Sequence, residues 1–256
     1  MHFNISTSVG ELHVLKYKKD PNRPTIVFLH DSLSCIELWR DFPKNLGALA
    51  DCNVLVYDRN GYGKSSPFIT SKRDNNYLEF EADILSEVLE VCGVKHTILF
   101  GHSDGGSIAL IAAAKYPSHI AGIITEGAHI FVEDITLQGI REAVIAYDTT
   151  NLKEKLQKYH GDKTAAVFAA WADTWLTDTY RYWNIEHFLP LIKCPALIIQ
   201  GEHDEYGSLE QVNGIIKQVP KASQLIIPGI GHTPHKEAKE LVLEHAAAFI
   251  SHLINA

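Results

Sequence analysis

The sequence predicts an α/β fold: a doubly wound, mostly parallel sheet of about eight strands, opened by an amino-terminal antiparallel hairpin and interrupted by an inserted helical cap. Three observations predict it. Short unbroken apolar runs recur at residues 25–29, 54–57, 97–100, 120–125, 196–199 and 225–227, and runs without polar alternation suit strands covered by helices on both faces. Patterns of helical period lie between them, at 37–49, 77–92, 106–115, 209–219 and 236–254. The alternation of strand and helix stops between 128 and 188 and then resumes.

Taken in order, residues 3–17 alternate with period two on both sides of Val9-Gly10-Glu11, which reads as a hairpin at a sheet edge. The strand and helix alternation of 25–115 follows. Residues 128–188 are helical in pattern and rich in aromatics (Tyr147, Phe168, Trp171, Trp175, Tyr180, Trp183). They are expected to form the cap, with 1–127 and 189–256 forming one core domain. Repeats, low-complexity tracts and long linkers that would mark a further domain do not occur.

Composition narrows the function. A chain of 256 residues with 46% hydrophobic content buries a large single core. A formal charge of -8 repels phosphate backbones, so nucleic acid is excluded as an expected partner. The amino terminus has neither a basic region followed by an apolar one nor a long apolar run, and a cytoplasmic, non-membrane protein is expected. Cys35, Cys52, Cys92 and Cys194 are widely spaced, which fits buried reduced thiols better than disulfides or a metal site. No His-Glu-x-x-His, Gly-x-Gly-x-x-Gly or Gly-x-x-x-x-Gly-Lys motif is present, and neither metal nor cofactor is expected.

Gly101-His102-Ser103-Asp104-Gly105 fits Gly-x-Ser-x-Gly. On residue frequencies about one chain in ten of this length matches by chance, so position decides. The motif directly follows the apolar run 97–100 and directly precedes the helical run from Gly106. So sharp a strand-to-helix turn strains the serine backbone, exposes the hydroxyl, and aims the Asp104 N–H, at a helix amino terminus, at a developing oxyanion. A serine hydroxyl needs a base, and the base needs an orienting carboxylate. Asp204 follows the run 196–199, and His232, in Pro228-Gly229-Ile230-Gly231-His232, follows the run 225–227. Each stands at the carboxyl end of its own strand, where open α/β sheets gather ligands. The order Ser, Asp, His therefore points to Ser103 as nucleophile, His232 as general base and Asp204 as its orienting acid. His235 is read as a helix-start residue, capping or solvent-exposed, and Glu202 and Glu205 as neighbours without the loop position of Asp204.

Together these residues resemble the α/β-hydrolase superfamily over nearly the whole chain. Two further landmarks carry the resemblance: Leu29-His30-Asp31-Ser32, where that family has a His-Gly oxyanion loop, and Asp58-Arg59-Asn60-Gly61-Tyr62-Gly63-Lys64-Ser65, similar to its Asp-x-x-Gly-x-Gly-x-Ser turn. The resemblance implies that the Ser32 N–H is the second oxyanion donor and that His30 and the 58–65 turn shape the scaffold. Asp31 departs from the family's glycine, and a carboxylate there either crowds the backbone or adds negative charge near the oxyanion. Residues 101–106 and Ala113-Ala114-Lys115-Tyr116-Pro117 are similar to the valacyclovir-hydrolase and cofactor-free haloperoxidase/esterase branch.

The implied activity is cleavage of small-molecule carboxylic esters through an acyl-enzyme. Lactone or carbon–carbon cleavage by the same triad, and a non-catalytic ligand receptor on the same scaffold, stand as alternatives. The Asp104 carboxylate either binds a substrate ammonium, as in an amino-acid ester, or caps the following helix. Trp171 and Trp175 either roof an apolar pocket or hold the cap to the core.

Overall fold

The computed structural model describes residues 1–18, 20–69 and 73–255. Strands β1 (His2–Thr7) and β2 (Gly10–Tyr17) form the amino-terminal hairpin. The chain then alternates through β3 (Thr25–Leu29), α1 (Phe42–Leu49), β4 (Asn53–Tyr57), α2 (Tyr77–Val91), β5 (Thr97–His102), α3 (Asp104–Lys115) and β6 (Ile120–Glu126). Helices α4 (Asp134–Thr149), α5 (Leu152–His160) and α6 (Thr164–Trp175) intervene before β7 (Ala196–Gly201), α7 (Leu209–Gln218), β8 (Ala222–Ile227), α8 (Pro234–Glu237) and α9 (Lys239–Asn255).

The eight strands form one sheet in the order β1-β2-β4-β3-β5-β6-β7-β8. The β1–β2 and β2–β4 pairs are antiparallel and all later pairs parallel. Alternating side chains feed two cores. Ile26 and Phe28 of β3, with Ile98 and Phe100 of β5, face the layer that includes Leu46 of α1 and Val242 of α9. Val27, Leu29 and Leu99 face the layer that includes Leu85 of α2 and Ile108 of α3. Each such buried side chain contributes roughly 1.5–3 kcal/mol relative to exposure, which is why unbroken apolar runs mark these strands. At β3 the order reverses, with β4 on one side and β5 on the other, so the loops leaving β3 and β5 part and open a crevice at their carboxyl ends.

Three expectations are corrected. The single helix read over 37–49 is a 3-10 turn, Ile36–Trp39, followed by α1, because Arg40 adopts φ 52° and Pro43, without an N–H, opens a new helix. The helix read over 236–254 is likewise divided, into α8 and α9, at Ala238 (φ -131°). Strand β8 is not covered on both faces: as the sheet edge it buries only Ile227 fully. The inserted helices are tied down by His160, whose Nδ1 accepts from the Gly63 N–H (3.0 Å) and whose Nε2–H donates to the Leu33 carbonyl (3.0 Å). No described helix is long and apolar enough to cross a membrane.

Candidate active site

Ser103 occupies the turn between β5 and α3 with φ 54° and ψ -119°, a left-handed backbone that a non-glycine residue adopts only under constraint. Its N–H donates to the Glu126 carbonyl (2.8 Å), and its own carbonyl accepts from Gly106 and Ser107. The flanking glycines are sterically required. A Cβ on Gly105 would lie 2.0 Å from the Leu29 carbonyl oxygen, and one on Gly101 would lie 2.1 Å from that of Gly105.

The loop after β7 carries Asp204 and the loop after β8 carries His232. His232 Nδ1 lies 2.8 and 2.9 Å from the two Asp204 carboxylate oxygens, and the side chain of Asp204 is 1% exposed. Asp204 Oδ1 also accepts from the Tyr206 N–H (2.8 Å), so the carboxylate is held on both sides. With Nδ1–H given to Asp204, Nε2 of His232 is the basic nitrogen. Burial lowers the imidazole, but the Asp204 charge and hydrogen bond, with help from Glu205 and Asp31, outweigh it and raise His232 above its ordinary value. Burial acts on Asp204 in the opposite sense, and His232 overcomes it to hold the carboxyl below the usual range.

Ser103, His232, Ser32 and Asp104 line one cavity of about 100 Å3, walled by Leu33, Ile140, Trp171 and Trp175. Among the described residues the backbone N–H groups of Ser32 and Asp104 have no protein acceptor, as oxyanion donors require. Both indoles of the expected roof thus reach the cavity. Trp175 also donates its Nε1–H to Tyr77 Oη (2.9 Å), which ties it to α2 of the core.

Asp104 also lines the cavity, but its carboxylate is already engaged. It accepts from Tyr77 Oη at 3.1 Å and faces Arg59 Nη2 at 3.4 Å. The capping alternative does not hold, because α3 begins at Asp104 itself with Ser103 in the cap position, and no side chain caps it. The Asp31 carboxylate is turned to the Leu33 N–H (2.8 Å) and to His102 (3.2 Å). His30 donates Nδ1–H to the Asp31 carbonyl (2.7 Å) and accepts at Nε2 from the Arg59 N–H (3.0 Å), bracing this loop against the 58–65 turn. Within that turn Asp58 accepts from the Ile36 and Lys64 N–H groups.

His235 departs from the reading of a capping or exposed residue. It is buried, with Nδ1 2.7 Å from Glu126 Oε2. Burial pushes the Glu126 carboxyl up to about 8 and the His235 imidazole down to about 3, so near neutral pH the pair holds its proton on the acid.

Sequence reasoning missed His129, Thr136, Tyr206 and Ile140, which line the cavity as well. His129 donates Nε2–H to the Tyr206 carbonyl (2.9 Å), which leaves Nδ1 as a lone-pair acceptor; burial holds the ring below its ordinary value. A signal for it existed: His129 stands three residues past the end of β6, at the same carboxyl edge as the triad candidates. Among the described residues no group of three His, Cys, Asp or Glu side chains is placed to hold a metal ion.

Residues 24–176 match the family model described as the alpha/beta hydrolase fold. The human protein Serine hydrolase BPHL is 30% identical over 193 residues, a match covering 71% of this chain and 64% of that protein; the chain thus spans about two thirds of the relative's length. A 2-hydroxy-6-oxononadienedioate/2-hydroxy-6-oxononatrienedioate hydrolase of Paraburkholderia phymatum is 25% identical over 266 residues, covering 93% of this chain and 91% of that one. A carboxylesterase structure from the thaumarchaeon Nitrososphaera gargenis superposes with TM-score 0.80 at 15% identity, covering 98% of this chain and 99% of that one. With the doubly wound sheet and the strained serine turn, these matches establish that the chain belongs to the α/β-hydrolase superfamily.

Proposed function

We propose that this protein is a serine hydrolase that cleaves small carboxylic esters through a covalent acyl-enzyme. The observation that carries the reading is the convergence on one cavity of a strained Ser103 and a His232 whose Nδ1 is locked by Asp204. In the proposed mechanism Ser103 Oγ attacks the ester carbonyl while His232 Nε2 takes its proton, and Asp204 stabilises the imidazolium. The Ser32 and Asp104 N–H groups hold the oxyanion, and His232 then protonates the departing alcohol. Water repeats the sequence to release the acid.

The apolar walls of Leu33, Ile140, Trp171 and Trp175 suit an uncharged acyl or alcohol group. An amino-acid ester fits less well, since its ammonium would share the Asp104 carboxylate with Arg59 and Tyr77. A second reading, carbon–carbon bond hydrolysis by the same three residues, is favoured by the relative from P. phymatum, whose match spans most of both chains. Parallel assays of p-nitrophenyl esters and of a vinylogous 1,5-diketone acid separate the two.

A fluorophosphonate probe tests the mechanism. It should modify Ser103 in the folded protein, as located by peptide mass spectrometry, and Ser103→Ala should abolish labelling; modification elsewhere, or none, rejects the reading. The pH dependence gives an independent check. His232 must be neutral to accept the proton, and its raised pKa means that kcat/KM falls as pH drops through a value above the ordinary imidazole range near 6.5. An acid limb lying below that range counts against His232 as the base.

A further inference from the structure

Asp31, which lines the cavity, meets His102, a residue that no step above uses. His102 Nδ1 lies 3.2 Å from Asp31 Oδ2, and His102 Nε2 lies 2.8 Å from the backbone carbonyl oxygen of His232. The His102 side chain is 3% exposed and that of Asp31 is 21% exposed. A carbonyl oxygen only accepts, so Nε2 carries a proton and donates it to the His232 carbonyl. A proton on Nδ1 as well would pair the ring with the Asp31 carboxylate, and burial works against that charge, holding the His102 imidazole below its ordinary value despite Asp31. A continuous chain thus runs from the oxyanion loop, through the residue before the nucleophile, to the loop that carries the base.

We propose that Asp31 and His102 are positioning residues: a second carboxylate–imidazole pair that fixes the His232 loop through its backbone and sets a negative charge beside the His232 ring. The inference rests on the reading of His232 as general base. Asp31 replaces the glycine of the family pattern, and the contact explains what its side chain does: it locks Ser32 and the base into one unit.

Asp31 is one of several charges around His232, and Asp204 is the dominant one. His232 is faced by Asp204, Glu205 and Tyr206 from the loop after β7, by His129 from the loop after β6, and by His102 from β5. Asp31 faces it from the loop after β3, as a charge that favours the imidazolium. Asp31 is itself faced by His102 and by Lys236 of α8, while Arg59 donates to its carbonyl. His102 is packed further against the rings of His235 (5.0 Å), the partner of Glu126, and Trp39 (6.5 Å). Contact with His102, helped by Lys236 and the Leu33 N–H, holds the Asp31 carboxyl below the usual range against the effect of burial.

The test uses p-nitrophenyl butyrate across pH 5–9 with Asp31→Asn, His102→Phe and His102→Gln. Asp31→Asn keeps the acceptor for Leu33 but removes the charge, so the imidazolium is less stabilised and the acid limb of kcat/KM should move about 0.5–1 unit toward lower pH. His102→Phe, which frees the His232 carbonyl, should lower the pH-independent kcat/KM by about 10- to 100-fold, with His102→Gln recovering most of the loss through its amide donor. A purely packing role for Asp31 would not move the limb. An Asp31→Asn profile within about 0.2 unit of the parent, or a His102→Phe rate within about twofold of it, overturns the proposal. Titration of the His232 ring by 15N NMR, in Ser103→Ala with and without Asp31→Asn, reads the same shift without turnover, and an unchanged titration also overturns it. If Ser103→Ala abolishes hydrolysis while the Asp31→Asn profile stays put, the pair is rejected and the serine mechanism stands. If Ser103→Ala leaves hydrolysis intact, the mechanism itself is rejected and the NMR titration alone judges the pair.

Discussion

Ser103→Ala should lower kcat/KM toward p-nitrophenyl butyrate by about 10^4-fold or more, equivalent to about 5 kcal/mol of transition-state stabilisation. Alanine removes the only atom that forms the acyl bond, while the N–H groups of Ser32 and Asp104 continue to bind the carbonyl oxygen and sustain some residual rate. His232→Ala should cost about as much, and the double variant no more than either alone, because nucleophile and base act in one step. Steady-state kinetics on folded variants, with thermal unfolding as the control, checks all three.

The informative variant is His232→Ala, because His235 lies three residues away and its ring sits 5.0 Å from that of His102. Substitution by His235 is not expected. Its Nδ1 is bound to Glu126 and its imidazole is pushed down to about 3, so it is too weak a base to take a serine proton. Nor does it line the cavity that holds Ser103. Activity of His232→Ala within about tenfold of the parent would show that the base has been misassigned.

How far the sequence carries the reader depends on whether a feature is local. The strands were legible because burial on both faces leaves no polar position in the run, and β3 coincides with the apolar stretch that predicts it. The Ser103 turn was legible because the two glycines and the adjoining strand and helix are contiguous. Long-range polar pairings were not. Asp31 and His102 are 71 residues apart, and Glu126 and His235 are 109 apart; nothing in either neighbourhood encodes the partner. The breaks at Arg40 and Ala238 escaped for another reason: both preserve the apolar periodicity, and only the backbone angles reveal them. The Asp104 carboxylate was read as free for substrate or helix cap because its partners, Arg59 and Tyr77, come from separate elements.

Arg59 is therefore where the second large effect is expected, on stability rather than rate. Its side chain is fully buried. Nη2 faces Asp104 Oδ2 at 3.4 Å and donates to the Asp31 carbonyl at 3.1 Å, Nη1 faces Glu81 Oε1 at 3.7 Å, and the guanidinium lies 4.7 Å from the centroid of the Tyr62 ring. Arg59→Met keeps much of the volume but leaves two buried carboxyl groups short of a cation, a loss of about 3–5 kcal/mol. At roughly 2–4 °C per kcal/mol for a chain of this size, Tm should fall by about 10 °C. The deficit should also depend on pH. Burial already raises the Glu81 carboxyl and Arg59 is the first group opposing that rise, so its removal raises Glu81 further. A carboxyl whose folded pKa exceeds its unfolded one favours the fold while protonated and loses that contribution as pH climbs through the folded value. The Tm gap between parent and variant should hence widen from pH 5 to pH 8 in calorimetric scans. A gap below about 2 °C, or one that narrows over that range, would mean that Arg59 is held by its ring and backbone contacts and that its charge contributes little.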